Sequence, residues 1–159
     1  MTAQKVIDQL RDSGRKLIFA ESITGGLLAD AFISVPGASN VVLGSEVTYA
    51  SSLKVALLGV DEDLLTEKGA VSAEVATAMA HGVYAVGLAA DDLEPGQLIA
   101  VATTGNAGPY GDPVGLVFVA LTDGSKKKVR EFVLVGDRAE IRSQTVTAAI
   151  DLIREHLGL

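Results

Sequence analysis

The stretch KLIFAESITGG at residues 16–26 decides how the fold begins and where chemistry can be placed. Residues 16–20 are mostly apolar and too few for a helix, which indicates a short buried strand. Residues 21–26 form a turn with hydroxyl groups and glycines. The apolar residues 27–35 then predict a helix that ends at the Pro-Gly pair of residues 36–37. A buried strand that leads directly into a helix is typical of α/β domains.

Outward from this stretch, hydrophobic periodicity and turn residues divide the chain into further elements. The predicted elements are a helix at 3–10, a strand at 41–43 and 47–49 kinked near Gly44, helices at 52–58, 61–67 and 72–88, a strand at 97–103, a hairpin of 114–121 with 129–135, and a last helix with a capping-box start at Asp137 and Glu140. The apolar strands are expected to be buried on both faces, with helices as their cover. We therefore predict one domain over residues 1–159, an α/β three-layer sandwich whose mixed β-sheet carries helices on both faces.

The composition narrows the classes of function. The chain has 159 residues with 48% hydrophobic and 21% charged residues, which excludes a disordered chain or a coiled coil. Its net charge of −7 argues against direct contact with nucleic acid. The absence of cysteine excludes a disulfide framework, a thiolate zinc site and a cysteine nucleophile. With no apolar run long enough for a membrane span and no signal peptide, we expect a cytoplasmic protein with no membrane partner.

Ser22 is the first candidate for chemistry, because its hydroxyl follows a buried strand at the edge where open α/β folds place their sites. The N–H groups of Thr24, Gly25 and Gly26 at the start of the next helix could hold an oxyanion or a phosphate. The alternative is a capped helix start with glycines for close packing. The stretch matches neither the G-x-S-x-G elbow nor a phosphate-binding P-loop.

A serine nucleophile needs a base, and Lys54 is the candidate. His81 lies inside an alanine-rich helix and His156 near the C-terminus, and both are expected to be packed or surface residues. A lysine can replace histidine where burial lowers its pKa, and Lys54 lies in the mostly small or apolar segment 50–58. The alternative is a solvated helix lysine. If Lys54 is the base that activates Ser22, the two side chains must meet in one cleft.

The segment SSLK at 51–54 also fits the S-x-x-K pattern of β-lactamase-type enzymes. The S-D-N and K-T-G segments that accompany that pattern are absent, so the match carries little weight.

A second loop rich in glycine and proline, residues 105–113, follows the strand that ends near Thr104. Thr104 could bond a substrate or orient a nucleophile, and Gly105 and Gly108 let backbone N–H groups approach a ligand. The alternative is a plain connection, although this loop is long for a hairpin.

Arg138 and Arg142 lie four residues apart at the N-terminus of the last helix, on one face. Two guanidinium groups beside free N–H groups suit a phosphate. A surface ion pair of Arg138 with Asp137 or another neighbouring acid is the alternative.

Several short segments, taken together in their order along the chain, resemble the motifs of the CinA C-terminal domain family. The segments that carry the resemblance are AESITGG at 20–26, SVPG at 34–37, VTY at 47–49 with Lys54, LLGV at 57–60, GAVS at 69–72, TG at 104–105 with AGP at 107–109, PVG at 113–115, and GDR at 136–138 with Ile141 and Arg142. The likeness covers nearly the whole chain and does not include the N-terminal, molybdopterin-binding-like domain of longer members.

The resemblance implies an amidase that hydrolyses nicotinamide mononucleotide to nicotinate mononucleotide and ammonia. It implies Ser22 as the nucleophile, and Lys54 and Tyr49 as the residues that activate it. Thr104 matches the family's site threonine. No metal or cofactor is expected.

The resemblance also implies the substrate contacts. Glu21, Arg138 and Arg142 match motif positions. The phosphate is expected to lie against helix N-termini or against Arg138 and Arg142. On physical grounds, donors from the turn of Gly25 and Gly26 or from the loop of Gly105 to Gly108 could stabilise the oxyanion that forms when Ser22 attacks. The partner is then a small pyridine nucleotide, and a homo-oligomer, a dimer or higher, is expected.

Several positions depart from the family pattern. The family usually has Cys at Ile23, Gly at Ser45 and Ile at Asn106, and S-N-x-x-K where this chain has ASSLK at 50–54. Its glycine-rich stretch after Gly-Pro is longer than residues 110–112 of this chain. These departures leave open a non-catalytic nucleotide-binding or protein-interaction module. A role in DNA uptake or repair would have to act through protein partners, because the chain is acidic.

Overall fold

The computed structural model describes residues 2–159, which form a five-stranded mixed sheet covered by helices. The strands are β1 (Lys16–Glu21), β2 (Val42–Val47), β3 (Leu98–Gly105), β4 (Leu116–Thr122) and β5 (Lys127–Val133). Their order across the sheet is β2-β1-β3-β4-β5. The strands β2, β1 and β3 are parallel, whereas β4 and β5 join them as an antiparallel extension. The predicted mixed sheet is confirmed.

Within residues 2–159, six helices cover the two faces of the sheet. They are α1 (Thr2–Asp12), α2 (Leu27–Ile33), α3 (Ser51–Leu58), α4 (Glu62–Lys68), α5 (Ala73–Asp91) and α6 (Arg138–Leu157), with a short 3₁₀ turn at Ala38–Asn40. Alternate residues of β1 point to opposite faces, so Phe19 packs with α1, α2 and α6 while Ile18 packs with α5. The Phe19 and Phe32 rings stack with centroids 5.3 Å apart. The predicted three-layer α/β sandwich is therefore confirmed.

Burial differs between central and edge strands. The central strands β1, β3 and β4 are buried along nearly their whole length, as predicted. The same expectation is wrong for β2 and β5, whose residues are partly or fully exposed because both strands lie at edges of the sheet. The strand β2 is also continuous through Gly44, with only a shift in register against β1 at Leu43.

Local capping signals in the sequence place three helix starts. The side chain of Asp61 accepts hydrogen bonds at the start of α4, and Ser72 does so at the start of α5. Asp137 and Glu140 form the predicted capping box of α6. Each such cap contributes about 1 kcal/mol and satisfies N–H groups that the helix itself leaves unpaired.

The register of the parallel strands creates the site. Glu21 at the end of β1 pairs with Val47 of β2 and with Thr103 of β3. The residues that follow, Ser22, Thr48 and Thr104, therefore meet at one edge of the sheet. No helix within residues 2–159 has the length and apolar character needed to cross a membrane.

Candidate active site

Ser22 and Lys54 are in direct contact at the carboxyl edge of the sheet. Ser22 continues the strand ladder, since its N–H donates to the Thr103 carbonyl at 3.0 Å. Lys54 projects from α3, and its Nζ lies 3.1 Å from the Ser22 Oγ. Ser22 is 7% exposed and Lys54 is 1% exposed. The sequence requirement that both groups meet in one cleft is met.

Burial of the Lys54 nitrogen favours an uncharged amine. Besides the Ser22 hydroxyl, Nζ contacts two backbone carbonyls, Thr48 O at 2.8 Å and Tyr49 O at 3.2 Å. Carbonyls only accept, so two N–H bonds are directed to them and the remaining position of the nitrogen faces the hydroxyl. Burial lowers the pKa of Lys54 from its ordinary value of 10.5. In the neutral amine, the lone pair then faces the proton of Ser22.

No carboxylate offsets this desolvation, because within residues 2–159 none forms an ion pair with Lys54. Burial without a carboxylate partner is thus what lowers the pKa of Lys54, and a lysine with a lowered pKa can act as a base.

The glycine turn after Ser22 does not offer the donors expected from the sequence. Gly25 N–H donates to the Ser22 carbonyl at 3.2 Å, and Gly26 N–H donates to Glu21 Oε2 at 3.0 Å. Glu21 itself is fully buried and is occupied by protein donors. In this structure the Gly25 and Gly26 N–H groups and the Glu21 carboxylate are therefore used inside the protein, so the expected roles of Gly25 and Gly26 at an oxyanion and of Glu21 at the substrate have no contact to support them.

Two other backbone donors remain beside Ser22. The N–H groups of Ile23 and Thr24 donate to no acceptor within the described part of the chain. An N–H group directly after a nucleophile is well placed for an oxyanion. The sequence singled out the Thr24 N–H and missed that of Ile23, since only folding shows which amides of a turn are left over.

The hydroxyl groups of the two site threonines are used inside the protein. Thr24 Oγ1 lies 2.8 Å from Thr103 Oγ1, and both residues are fully buried. Thr104 Oγ1 donates to the Ala70 carbonyl at 2.7 Å, which joins β3 to the segment before α5. Thr104 thus forms no hydrogen bond with Ser22 or Lys54, and its expected catalytic contact is not present.

The glycines of the second loop have packing roles. A Cβ at Gly105 would lie 2.7 Å from Val117 Cγ2 and 2.9 Å from Ile23 Cδ1, so a larger residue there would require these side chains to shift. Gly108 N–H donates to Asn106 Oδ1 at 2.9 Å. The Gly108 N–H is therefore used within its own loop in this structure, and the expectation that Gly105 and Gly108 present N–H groups to a ligand stays a prediction.

Tyr49 lies at the mouth of the site, and its hydroxyl does not reach Ser22. The residue is 65% exposed, and its hydroxyl accepts a hydrogen bond from Arg138 Nη2 at 3.1 Å. Arg138 Nη1 also donates to the Gly108 carbonyl at 2.7 Å. Only the backbone carbonyl of Tyr49 contacts Lys54, so the expected activating role of its side chain is not supported by a contact.

Arg142 forms hydrogen bonds with the backbone of the turn that carries Ser22. Its Nε donates to the Ile23 carbonyl at 2.9 Å and its Nη2 to the Thr24 carbonyl at 3.2 Å. Neither Arg142 nor Arg138 forms an ion pair with a carboxylate of the described chain, so the alternative of an Arg138–Asp137 pair is not observed. Their two positive charges are not neutralised.

A cavity of about 340 Å³ joins these groups; it is lined by Ser22, Ile23, Gly25, Val47, Tyr49, Arg138 and Arg142. A second cavity of about 340 Å³ lies beside it, and it shares Ile23, Tyr49 and Arg138 and continues to the 105–110 loop. The site thus combines a serine hydroxyl, a buried lysine amine and two arginine cations. Residues 2–159 contain no group of three or more acids and histidines placed to hold a metal ion.

Fold and site together define an α/β protein with a serine in contact with a buried lysine at the carboxyl edge of its sheet. The chain belongs to the CinA C-terminal domain family, whose model matches residues 1–157.

Relatives agree with this assignment. A CinA-like protein of Geobacter metallireducens is 46% identical over 92% of this chain, and a putative competence-damage inducible protein of Desulforamulus reducens is 41% identical over 97% of it. The chain spans only 35% and 36% of the length of these two proteins.

Solved structures agree in fold. The competence/damage inducible protein CihA from Agrobacterium tumefaciens superposes with a TM-score of 0.87 at 36% identity, covering 99% of this chain and 94% of that one. A CinA superfamily protein from Klebsiella pneumoniae 700603 gives a TM-score of 0.88 at 29% identity, covering 99% and 96%.

Proposed function

We propose that this protein hydrolyses the carboxamide of nicotinamide mononucleotide to give nicotinate mononucleotide and ammonia, with Ser22 as nucleophile and Lys54 as general base. The observation that carries the proposal is the 3.1 Å contact between the Ser22 hydroxyl and a lysine nitrogen that is buried without an ionic partner. The family resemblance supports this substrate. The names of two relatives refer to competence and damage induction and mention no amidase activity.

The proposed reaction has two stages that use the same pair. Lys54 takes the proton of Ser22 as Oγ attacks the carboxamide carbon, and the resulting ammonium then protonates the departing nitrogen to release ammonia. Water then attacks the acyl ester of Ser22 as Lys54 takes its proton. Lys54 returns that proton to the Ser22 oxygen as the acyl C–O bond breaks, which releases the carboxylic acid and restores the free hydroxyl and the neutral amine. The N–H groups of Ile23 and Thr24 are the donors proposed for the oxyanion.

The charges of the cavity fit the two ends of this substrate. The pyridinium ring is positive, so it would disfavour a second cation at Lys54 and help to keep the amine neutral. The phosphate would be drawn to Arg138 and Arg142, which have no acidic partner and line the cavity that contains Ser22. The site thus has a reactive end and an anion-binding end.

The test is ammonia release from nicotinamide mononucleotide by the full chain. We expect kcat to fall by about 10³-fold or more in Ser22→Ala and in Lys54→Met, because each removes one member of a pair that acts together. We also expect kcat of the unaltered protein to rise with pH toward an apparent pKa below 10.5, since only the neutral lysine is a base.

The matched control is Ser51→Ala. Ser51 belongs to the S-x-x-K segment but lies exposed at the start of α3, so its loss should leave kcat unchanged. A protein that gains thermal stability with the nucleotide yet releases no ammonia would support the non-catalytic binding module and overturn the amidase. The homo-oligomer and the cytoplasmic location expected from the sequence remain part of this proposal.

A further inference from the structure

Glu21 is fully buried next to the proposed nucleophile, and no step of the proposed reaction uses it. We infer that Glu21 is a positioning residue: its carboxylate ties α2 and β2 to the end of β1 and so holds the Ser22 hydroxyl against Lys54. The inference rests on the proposed function for its kinetic readout only, because the tie itself is also measurable through stability.

Four donors converge on this one side chain. Oε1 accepts from Ala29 N–H at 3.0 Å and from Ser45 Oγ at 2.9 Å. Oε2 accepts from Gly26 N–H and from Leu28 N–H, each at 3.0 Å. Each oxygen thus faces two donors, which uses the acceptor capacity of a carboxylate and leaves nothing for a ligand.

The donors come from two elements that would otherwise meet only through packing. Three of them are backbone groups at the start of α2, and the fourth is a hydroxyl of β2. Glu21 is the last residue of β1, so one side chain joins both elements to the strand that carries Ser22.

Glu21 and Arg142 hold the Ser22 turn from two sides. Glu21 fixes the turn where it enters α2, while Arg142 binds the carbonyls of Ile23 and Thr24 in its middle. A small shift of this backbone would change the distance from Ser22 Oγ to Lys54 Nζ. Misplacement of a reacting group by about 1 Å can cost about 10²-fold in rate, so we expect the tie to act on kcat.

The test compares two substitutions of Glu21. In Glu21→Gln one of the two oxygens becomes an amide nitrogen, which cannot accept from a backbone N–H. We expect kcat for ammonia release to fall by about 10- to 100-fold while KM for nicotinamide mononucleotide changes little. In Glu21→Ala we expect a similar fall, which sodium formate should partly reverse in a saturable way by supplying a carboxylate to the vacated donors.

Thermal unfolding gives a readout that does not depend on the reaction. Formate should raise the Tm of Glu21→Ala more than sodium chloride of equal ionic strength, and should not do so for the unaltered protein. Ser45→Ala, which removes one of the four donors, should show a smaller loss of kcat of the same kind. Glu67→Ala removes an exposed carboxylate and is the control, with unchanged kcat and no response to formate.

The outcomes separate this inference from the proposed function. If Glu21→Gln keeps the kcat of the unaltered protein, or loses Tm without losing kcat, positioning is overturned. If formate and chloride change the Tm of Glu21→Ala equally, the tie is overturned. If Glu21→Ala does not fold, the kcat values of Glu21→Gln and Ser45→Ala test the inference, and unchanged values in both overturn it. An unaltered protein that releases no ammonia overturns the proposed function, whereas a formate-specific rise in the Tm of Glu21→Ala would still support the tie.

Discussion

At the scale of the residue, the burial of Lys54 destabilises the folded protein by an amount that depends on pH. The side chain is 1% exposed, and burial lowers its pKa from 10.5. In the unfolded chain the lysine is protonated up to about that ordinary value. Between the lowered pKa and 10.5, the unfolded state therefore binds more protons than the folded state, and stability rises with pH.

Lys54→Met should remove this pH dependence. The difference in free energy of unfolding between the unaltered protein and the variant should shift in favour of the unaltered protein as pH rises from about 7 to about 10. Urea unfolding at several pH values measures it, and the other titrating groups cancel because both proteins share them. Two curves that remain parallel throughout would show that Lys54 is not desolvated.

At the scale of the element, the place of Lys54 depends on how closely α3 approaches α5. Gly82 of α5 lies against the C-terminal end of α3, and a Cβ there would overlap the Leu58 carbonyl oxygen and lie 2.8 Å from its carbon. Backbone cannot move aside as a flexible side chain can. The absence of a side chain at Gly82 thus allows the approach that brings α3, and Lys54 with it, toward the sheet.

Gly82→Ala tests this approach through the sign of its effect. Helix propensity alone would make the substitution stabilising by about 1 kcal/mol. Overlap with the backbone should instead destabilise the protein by about 1–3 kcal/mol and lower kcat as α3 shifts. Ala85→Gly, at an exposed position of the same helix, is the control that measures propensity alone. A more stable Gly82→Ala protein would contradict the packing argument.

At the scale of the whole molecule, a buried contact between a histidine and a carboxylate connects the C-terminal helix to the far end of the sheet. His156 Nε2 of α6 lies 3.0 Å from Asp123 Oδ2, with side-chain exposures of 4% and 11%. Asp123 lies between β4 and β5, and Arg15, just before β1, approaches the same carboxylate at 4.0 Å. The cluster therefore links the beginning, the closing hairpin and the end of the chain.

The pKa values of both His156 and Asp123 are lowered from their ordinary values. Burial lowers the pKa of His156 below 6.5, with the charges of Arg15 and Lys128 adding to the effect and Asp123 opposing it. Burial opposes the charge of Asp123, but hydrogen bonds from Lys126 and Ser125, together with His156, hold its pKa below 3.8. Both groups then contribute stability that is present above these ordinary values and is lost as pH falls.

His156→Gln should weaken the response to mild acid. The Tm of the unaltered protein should fall more than that of the variant when pH is lowered from about 7.5 to about 5.5, because only the unaltered protein must protonate a buried imidazole or unfold. Differential scanning calorimetry at the two pH values measures the effect. An equal fall in both proteins would place the acid sensitivity elsewhere.

Much of the fold could be predicted because it depends on local signals. Apolar segments of strand length, Pro-Gly and glycine stops, and caps at Asp61, Ser72 and Asp137 act within a few residues, so the predicted elements correspond to those observed. Ser22 could be placed at the carboxyl edge of the sheet for the same reason. The burial of the edge strands β2 and β5 was predicted wrongly, because the position of a strand within a sheet depends on its pairing with distant strands.

The sequence by itself determined the order of helices and strands, the three-layer class and the strand end that carries Ser22. Only the tertiary structure decided which groups meet there: Lys54 reaches Ser22 across 32 positions of sequence, whereas Thr104 and Tyr49 turn to Ala70 and Arg138. Capping and periodicity are set by neighbours along the chain. The partner of a buried polar side chain is set instead by the unpaired donors and acceptors that packing brings within reach, and these come from distant segments.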